Sequence, residues 1–131
     1  MHGNYSVQIE RFAERHFIKS FEKKHKAHWG VTLRAIIAEL ERIDTLLLTE
    51  RADTICDDSH GIKIIKTKFR VVGTKESAKT SGNRCIVAWH KEKQFVSILL
   101  MYGKTDLSGH NETAEWQNMV KNNYPEYKHL F

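Results

Sequence analysis

The chain has 131 residues, of which 40% are hydrophobic and 28% charged, enough for one domain and too few for two. Lysine and arginine number 21 against 16 acidic residues, and the resulting charge of +5 attracts phosphates or an acidic protein without deciding between them. No stretch approaches the roughly 18 apolar residues of a membrane span, and Met1 to Glu10 contains no apolar signal-peptide core. We therefore expect a single domain, residues 1–131, that works in the cytoplasm and not in a membrane.

The first half of the chain predicts one strand followed by two helices. Tyr5, Val7 and Ile9 alternate with polar residues, the period of two that is typical of a half-buried strand. From Phe12 the apolar residues follow a helical period up to the basic run 23–26, whose charge suits a helix C-terminus. A second apolar seam then recurs at spacings of four and three, through Trp29, Leu33, Ile36, Leu40, Ile43 and Leu47. We expect the two helices to form a hairpin that lies against a sheet.

Asp57 and Asp58 could suggest a metal site, but a turn before the next strand is the simpler explanation. After Gly61 the pattern returns to that of strands. In residues 62–72, Ile65, Phe69 and Val71 share one face with Thr67, whereas the other face carries a cationic ladder of Lys66, Lys68 and Arg70. A polar loop of residues 73–83 carries Lys75 and Lys79. Two apolar strands, residues 84–90 and 95–103, then form a hairpin around the turn 91–94.

The chain closes with a predicted helix. Asn111 is a good N-cap with Glu112 in the first turn, and the helix ends before Pro125. The predicted order is therefore β-α-α-β-β-β-α. This is an α+β fold in which an antiparallel sheet packs against an N-terminal helical hairpin and carries a C-terminal helix.

Cysteine and histidine spacings do not indicate a bound metal. Cys56 and Cys85 are far apart and have no Cys-x-x-Cys partner, so we expect two reduced thiols. His25 and His28 are three residues apart, but no carboxylate or cysteine completes a ligand set around them. The sequence predicts no metal and no other cofactor.

Two segments, in this order of elements, resemble a known family. They are Gly82-Asn83-Arg84-Cys85-Ile86-Val87 and Ser97-Ile98-Leu99-Leu100-Met101-Tyr102-Gly103-Lys104. The chain resembles the RelE/ParE toxin superfamily, in which a Gly-x-Arg-Val-like strand precedes an aliphatic strand that ends near an aromatic residue and a lysine. The resemblance implies a RelE-like endoribonuclease that cleaves mRNA, free or on the ribosome, and that a cognate antitoxin inhibits. It leaves two alternatives open: a ParE-like toxin that binds DNA gyrase without cutting RNA, and an RNA-binding module without turnover.

Metal-independent RNA cleavage needs a base for the 2′-hydroxyl, positive charge at the phosphate and a proton for the departing 5′-oxygen. Lys66 and Lys68 project to the same side of a strand, so each disfavours the other's charge and one of them could serve as the base. The resemblance implies that Arg84 clamps the scissile phosphate with two guanidinium donors. Tyr102 and Lys104 share a face at the end of the last predicted strand, where the phenol could stack on a base or donate a proton and Lys104 adds charge.

Four further residues are predicted to bind RNA. These are Arg70, Lys75, Lys79 and His90, of which His90 could also act as an acid near neutral pH. Each site residue has a structural alternative: a solvated strand face for the lysines, an ion pair for Arg84, a core position for Tyr102 and a structural histidine at 90. His129 and Tyr127 are candidates for a C-terminal acid by position alone. The catalytic reading requires Lys66, Lys68, Arg84 and Tyr102 to lie around one hollow.

Overall fold

The computed structural model describes residues 4–131, so Met1–Gly3 lie outside the described part of the chain. The N-terminal half contains strand β1 (Ser6–Ile9) and three helices. Helix α1 consists of the α-helical segment Arg11–Ala13, the π-helical segment Glu14–Ile18 and the α-helical segment Lys19–His25. Helices α2 (Ala27–Leu40) and α3 (Ile43–Leu46) follow.

The C-terminal half contains the other strands and the last helix. The strands are β2 (Ala52–Asp57), β3 (Ile62–Lys68), β4 (Arg84–His90) and β5 (Phe95–Tyr102). Helix α4 (Glu112–Asn123) leads into a 3₁₀ helix (Pro125–Leu130). No helix within residues 4–131 is both long and apolar enough to span a membrane.

The predicted helical hairpin is confirmed, with its turn at Lys26. This residue has a φ of 48° and joins α1 to α2 directly, at the end of the basic run that the sequence assigned to a helix C-terminus. Phe21 of α1 then stacks on Trp29 of α2, with ring centroids 4.7 Å apart. The second helix is shorter than its apolar seam indicated, because the backbone leaves the helical region at Arg42 before α3 begins.

The sheet has five strands in the order β1-β5-β4-β3-β2. The predicted hairpin of β4 and β5 is confirmed, and β3 pairs antiparallel with β4 as expected. The prediction of an antiparallel sheet was wrong in one respect, because β1 runs parallel to β5 at the edge of a mixed sheet. The helices between β1 and the later strands give the chain the long crossover that a parallel neighbour requires.

Strand β2 was not predicted from the sequence. It pairs antiparallel with β3 at the other edge of the sheet, so the residues before Gly61 form a hairpin rather than only a turn. Asp57 and Asp58, interpreted as a turn, do accept backbone hydrogen bonds from Ser59 and His60, but Asp57 is also the last residue of β2. Polar and apolar residues do not alternate cleanly in Ala52–Asp57, which is why its pattern carried no strand signal.

The two faces of the sheet pack against different helices. Thr67 shares a small cavity with Ile36 and Leu40 of α2, so the face that contains Thr67 meets the N-terminal helices. Lys66 points to the other face, where its ammonium reaches α4. Helix α4 begins as predicted, because the Asn111 side chain accepts a hydrogen bond from the Ala114 backbone. The face of the sheet that contacts α4 is called the α4 face below.

Candidate functional site

Pairing of three strands brings the predicted site residues into one row. Lys68, Arg84 and Tyr102 are direct neighbours across β3, β4 and β5. Because residues opposite one another in a sheet project to the same side, all three lie on the α4 face. Lys66 lies on this face as well, two residues before Lys68. The sequence prediction that these four residues share one region is therefore consistent with the register of the sheet.

Glu112 contacts two members of this group, Lys66 and Tyr102. Its Oε2 atom accepts hydrogen bonds from Lys66 Nζ at 2.9 Å and from the Tyr102 hydroxyl at 2.7 Å. Both donors reach the same oxygen, and no hydrogen bond to Oε1 is found within residues 4–131. The first turn of α4 thus places a carboxylate over the sheet where β3 and β5 contribute a cation and a phenol.

Positive charge around Glu112 lowers its pKa. Partial burial acts to raise the pKa of this carboxyl, but the hydrogen bonds from Tyr102 and Lys66 and the charges of Lys66 and Arg84 outweigh it. Its pKa therefore lies below the 4.5 of an unperturbed glutamate, and the group is an anion at neutral pH. The side chain is 45% exposed, so solvent still reaches it.

Tyr102 supplies a hydroxyl to the site but not a stacking surface. The residue is only 1% exposed, since it lies in the core beneath α4. Burial, together with the hydrogen bond and the charge of Glu112, raises its pKa well above the usual value. A base cannot reach the buried ring, so the predicted stacking of Tyr102 was wrong and the alternative of a core position is supported.

Arg84 holds the loop of residues 73–83. Its Nη1 donates to the carbonyl oxygens of Asn83 and Ala78 at 2.8 and 3.2 Å, and its Nη2 donates to that of Lys79 at 3.0 Å. The sequence alternative of an ion pair is not what is found, because the acceptors are main-chain carbonyls. A guanidinium has five N–H groups, so two remain without a hydrogen bond to any residue in 4–131. Two donors are enough for two oxygens of a phosphate.

Lys68 and Lys79 border a groove beside strand β2. The Lys68 ammonium donates to the Glu50 carbonyl at 3.3 Å, and both lysines border a groove of about 420 Å³ with Glu50, Arg51 and Asp53. Asp53 is the register neighbour of Lys66 on β2, so it also lies on the α4 face. Lys79 is exposed and Lys68 is half-buried at the border of this groove, where a nucleic-acid backbone could reach them.

Arg70 and Lys75 lie away from the row. Strand β3 ends at Lys68, so Arg70 does not continue the ladder as predicted. It borders a groove of about 460 Å³ with Thr32 and Ile36 of α2, on the side of the N-terminal helices. Lys75 is exposed in the loop of residues 73–83. The cationic ladder therefore consists of Lys66 and Lys68 alone.

Lys104 was predicted to share a face with Tyr102, and this was wrong. Strand β5 ends at Tyr102, so the alternation stops there and the chain turns. Lys104 borders a cleft of about 270 Å³ together with Lys24 and His25 of α1. A Cβ at Gly82, whose φ is +75°, would lie 2.8 Å from the Cβ of Lys104, so the loop of residues 73–83 passes close against this residue.

His90 lies at the far end of β4 from Arg84. Six residues of strand separate the two, about 20 Å at 3.3 Å per residue, so His90 does not belong to the group around Glu112. Its Nε2 and the Tyr127 hydroxyl share a hydrogen bond of 2.7 Å, and its ring stacks on Phe95. The structural alternative is thus favoured for His90. Tyr127, a C-terminal candidate by position, is occupied by the same contact.

The sequence reasoning missed Glu112 as a site residue and treated it only as part of a helix start. Lys66 and Glu112 are 46 residues apart, so no local spacing connects them. The one available signal was an acidic residue in the first turn of a helix that follows the Tyr102 strand. Such a residue is common at helix N-termini for electrostatic reasons, which made it unremarkable.

The described residues contain no group of three or more His, Cys, Asp or Glu side chains that could hold a metal ion. The groups that do converge are a carboxylate, an ammonium, a guanidinium and a phenol. Together they can bind an anion and accept or donate a proton.

No family model matches this chain, and no match is found among curated proteins or among solved structures. The resemblance to RelE/ParE toxins therefore depends on the quoted residues and the order of elements.

Proposed function

We propose that this chain is a RelE-like toxin that cleaves mRNA without a metal ion. In this proposal it works in the cytoplasm, free or on the ribosome, and a cognate antitoxin inhibits it. The observation that carries the proposal is the position of Lys66, Lys68 and Arg84 on one face of the sheet, the face on which Glu112 contacts Lys66. This grouping is what cleavage of a phosphodiester by side chains alone needs.

Each member of the group has a role in this proposal. Arg84 binds the scissile phosphate through the two N–H groups that the loop leaves free. Lys66 and Lys68 add positive charge on the same face, and Lys79 extends it along the groove beside β2. That one of the two β3 lysines acts as the base stays a prediction. The ion pair of Lys66 with Glu112 favours a role as a cation for that residue.

The antitoxin of this proposal is a protein with an acidic segment. Lys68 and Lys79 are accessible, and Glu112 already shows that the α4 face accepts a carboxylate. An acidic peptide that covers the groove would compete directly with the RNA backbone.

Expression in cells with mapping of mRNA 5′ ends tests the proposal. We expect growth arrest and new 5′ ends on induction, and we expect both to be lost in Arg84→Ala. Arg70→Ala is the matched control, because it removes the same charge from a residue that lies away from the row. The Arg70 Nη1 atom donates a long hydrogen bond of 3.5 Å to the Thr74 carbonyl. Growth arrest without new 5′ ends would contradict the proposal.

One observation favours a second candidate, a ParE-like toxin that binds DNA gyrase without cutting RNA. Tyr102 is buried in the core and three Arg84 donors bind carbonyls of the loop, so both side chains stabilise the fold whether or not RNA is cleaved. Arrest without new ends, together with inhibition of supercoiling by purified gyrase, would support this candidate. The third alternative, an RNA-binding module, predicts no arrest and RNA binding that weakens steeply with salt.

A further inference from the structure

Glu112 has one oxygen that is held and one that is not. Tyr102 and Lys66 both donate to Oε2, which fixes the carboxylate at the surface of the sheet. Oε1 has no hydrogen-bond partner in residues 4–131, and the side chain is 45% exposed. A carboxylate oriented through one oxygen can accept a proton at the other without losing its anchor.

The cations around Glu112 are arranged to receive a phosphate beside it. Lys66 contacts Glu112 directly, and Arg84 is the register neighbour of Tyr102, whose hydroxyl donates to the same carboxylate. A phosphate that binds the free N–H groups of Arg84 would therefore lie next to the carboxylate. In RNA the 2′-hydroxyl is attached to the ribose carbon adjacent to that phosphate, which brings the hydroxyl within reach of the same group.

We propose that Glu112 is the general base of the cleavage reaction, with Oε1 as the atom that accepts the 2′-hydroxyl proton. This inference depends on the proposed endoribonuclease function. As the O2′–H bond breaks, O2′ forms a bond to phosphorus and the bond from phosphorus to the 5′-oxygen breaks. The departing 5′-oxygen takes a proton from the ammonium of Lys68, which is the register neighbour of the phosphate-binding Arg84. The products are a 2′,3′-cyclic phosphate and a 5′-hydroxyl, and no metal or redox partner is needed.

With Glu112 as the base, neither β3 lysine has the predicted role of base: Lys68 is the proton donor and Lys66 is a positioning residue. Its ammonium holds Oε2 of Glu112 and adds positive charge beside the phosphate, so it acts on the proton transfer through the carboxylate. Lys66→Met should then weaken both RNA binding and cleavage. Glu112→Gln should weaken cleavage alone, because the amide oxygen still accepts hydrogen bonds but does not take up a proton.

The test compares the wild type with Glu112→Gln on an mRNA translated by purified ribosomes, under single-turnover conditions. We expect Glu112→Gln to lower the cleavage rate by at least about 100-fold, the scale of general-base catalysis. Binding of a fluorescent RNA with 2′-deoxy substitutions should stay within about threefold, since the binding cations are retained. Glu115→Gln is the matched control, because it removes the same charge one turn further along α4, where the Glu115 carboxylate accepts hydrogen bonds from Ser108.

A pH profile separates proton transfer from a merely structural role. In the wild type the cleavage rate should fall only below pH 4.5, because the pKa of the Glu112 carboxyl is lowered; this fall is the acidic limb of the profile. Glu112→His should move this limb upward, to near pH 6.5, the ordinary value for an imidazole. Thermal melting of each variant reports whether it folds.

The outcomes distinguish this inference from the proposed function. If the wild type makes no cut, both are overturned. If the wild type cuts and folded Glu112→Gln cuts within about threefold of it, Glu112 is not the base, but the endoribonuclease remains. Equal losses of binding and cleavage in Glu112→Gln would likewise overturn the role as base and leave Glu112 as a positioning residue.

Discussion

Tyr102 and Glu112 share a hydrogen bond of 2.7 Å that joins the last strand of the sheet to the first turn of the last helix. Because the acceptor is ionised, this bond is stronger than one between neutral groups. Strand β5 and helix α4 are thereby connected at the same point that holds the carboxylate of the candidate site. The bond therefore stabilises the contact between β5 and α4, and it also orients the carboxylate of the candidate site.

Tyr102→Phe should lower the free energy of unfolding by about 1.5 kcal/mol, the lower end of the range for a bond to a charged group, since Glu112 is partly exposed. Urea denaturation measures this change. Tyr5→Phe serves as control, because the Tyr5 ring packs against Trp89 and no hydrogen bond of its hydroxyl is found within residues 4–131. An equal loss in both variants would show that the Glu112 contact contributes nothing beyond the loss of a phenol.

Arg84→Lys should loosen the loop of residues 73–83. One ammonium cannot reach the three carbonyls at Ala78, Lys79 and Asn83 that the planar guanidinium reaches together. We expect faster hydrogen exchange of the loop amides with unchanged exchange in β5, as measured by mass spectrometry. Arg70→Lys provides the comparison and should leave the loop protected. Unchanged protection in Arg84→Lys would mean that other contacts hold the loop.

Gly82→Ala should destabilise the protein through two effects, a strained φ of +75° and a contact of 2.8 Å with the Lys104 Cβ. Gly109→Ala isolates the first effect, because its φ is +86° and nothing lies within 4 Å of an added Cβ. The backbone strain amounts to roughly 1 to 3 kcal/mol in either variant. Thermal melting should therefore show a larger loss for Gly82→Ala, and equal losses would rule out the close approach of the loop to Lys104.

His90 should make stability depend on pH below neutrality. Burial, helped by the charge of Lys93, lowers its pKa below 6.5, although the charge of Asp58 acts in the opposite direction. The unfolded chain therefore binds the proton more readily than the folded chain. The contribution is fully present above pH 6.5 and is lost as the pH falls through the lower folded-state value.

The variant His90→Phe tests this dependence. Phenylalanine keeps an aromatic ring beside Phe95 but does not titrate, so the decline of the melting temperature from pH 8 to pH 5 should become shallower. The loss of the bond to Tyr127 should lower the melting temperature at all pH values by a similar amount. An unchanged slope would assign the pH dependence to other histidines.

Periodicity predicted the elements that pack against a core, and it failed where the packing was one-sided or distant. The β4–β5 hairpin and α4 are each encoded by residues that are close together in the sequence, so local patterns predicted them. Strand β2 has polar residues at both Asp53 and Asp57, because it lies at an edge of the sheet and buries little. The parallel pairing of β1 with β5 joins segments that are about 90 residues apart, and no local pattern encodes such a partner.

The same distinction applies to the site. Alternation placed Lys66 and Lys68 on one side of a strand, the family resemblance pointed to Arg84, and the observed register then puts Lys68, Arg84 and Tyr102 in a row. Arg70 and Lys104 were misplaced because alternation has no meaning beyond the ends of β3 and β5. Glu112 was missed because its position depends on how α4 crosses the sheet, which is a tertiary property.

The way in which Arg84 grips its loop has a consequence for how the sequence of this region can change. All three of its acceptors are peptide oxygens, which every amino acid provides. Side chains at positions 78, 79 and 83 are therefore free to vary while the anchor persists. A substitution at Lys79 can therefore change the charge of the groove beside β2 during evolution. The hydrogen bonds by which Arg84 holds the loop would be retained.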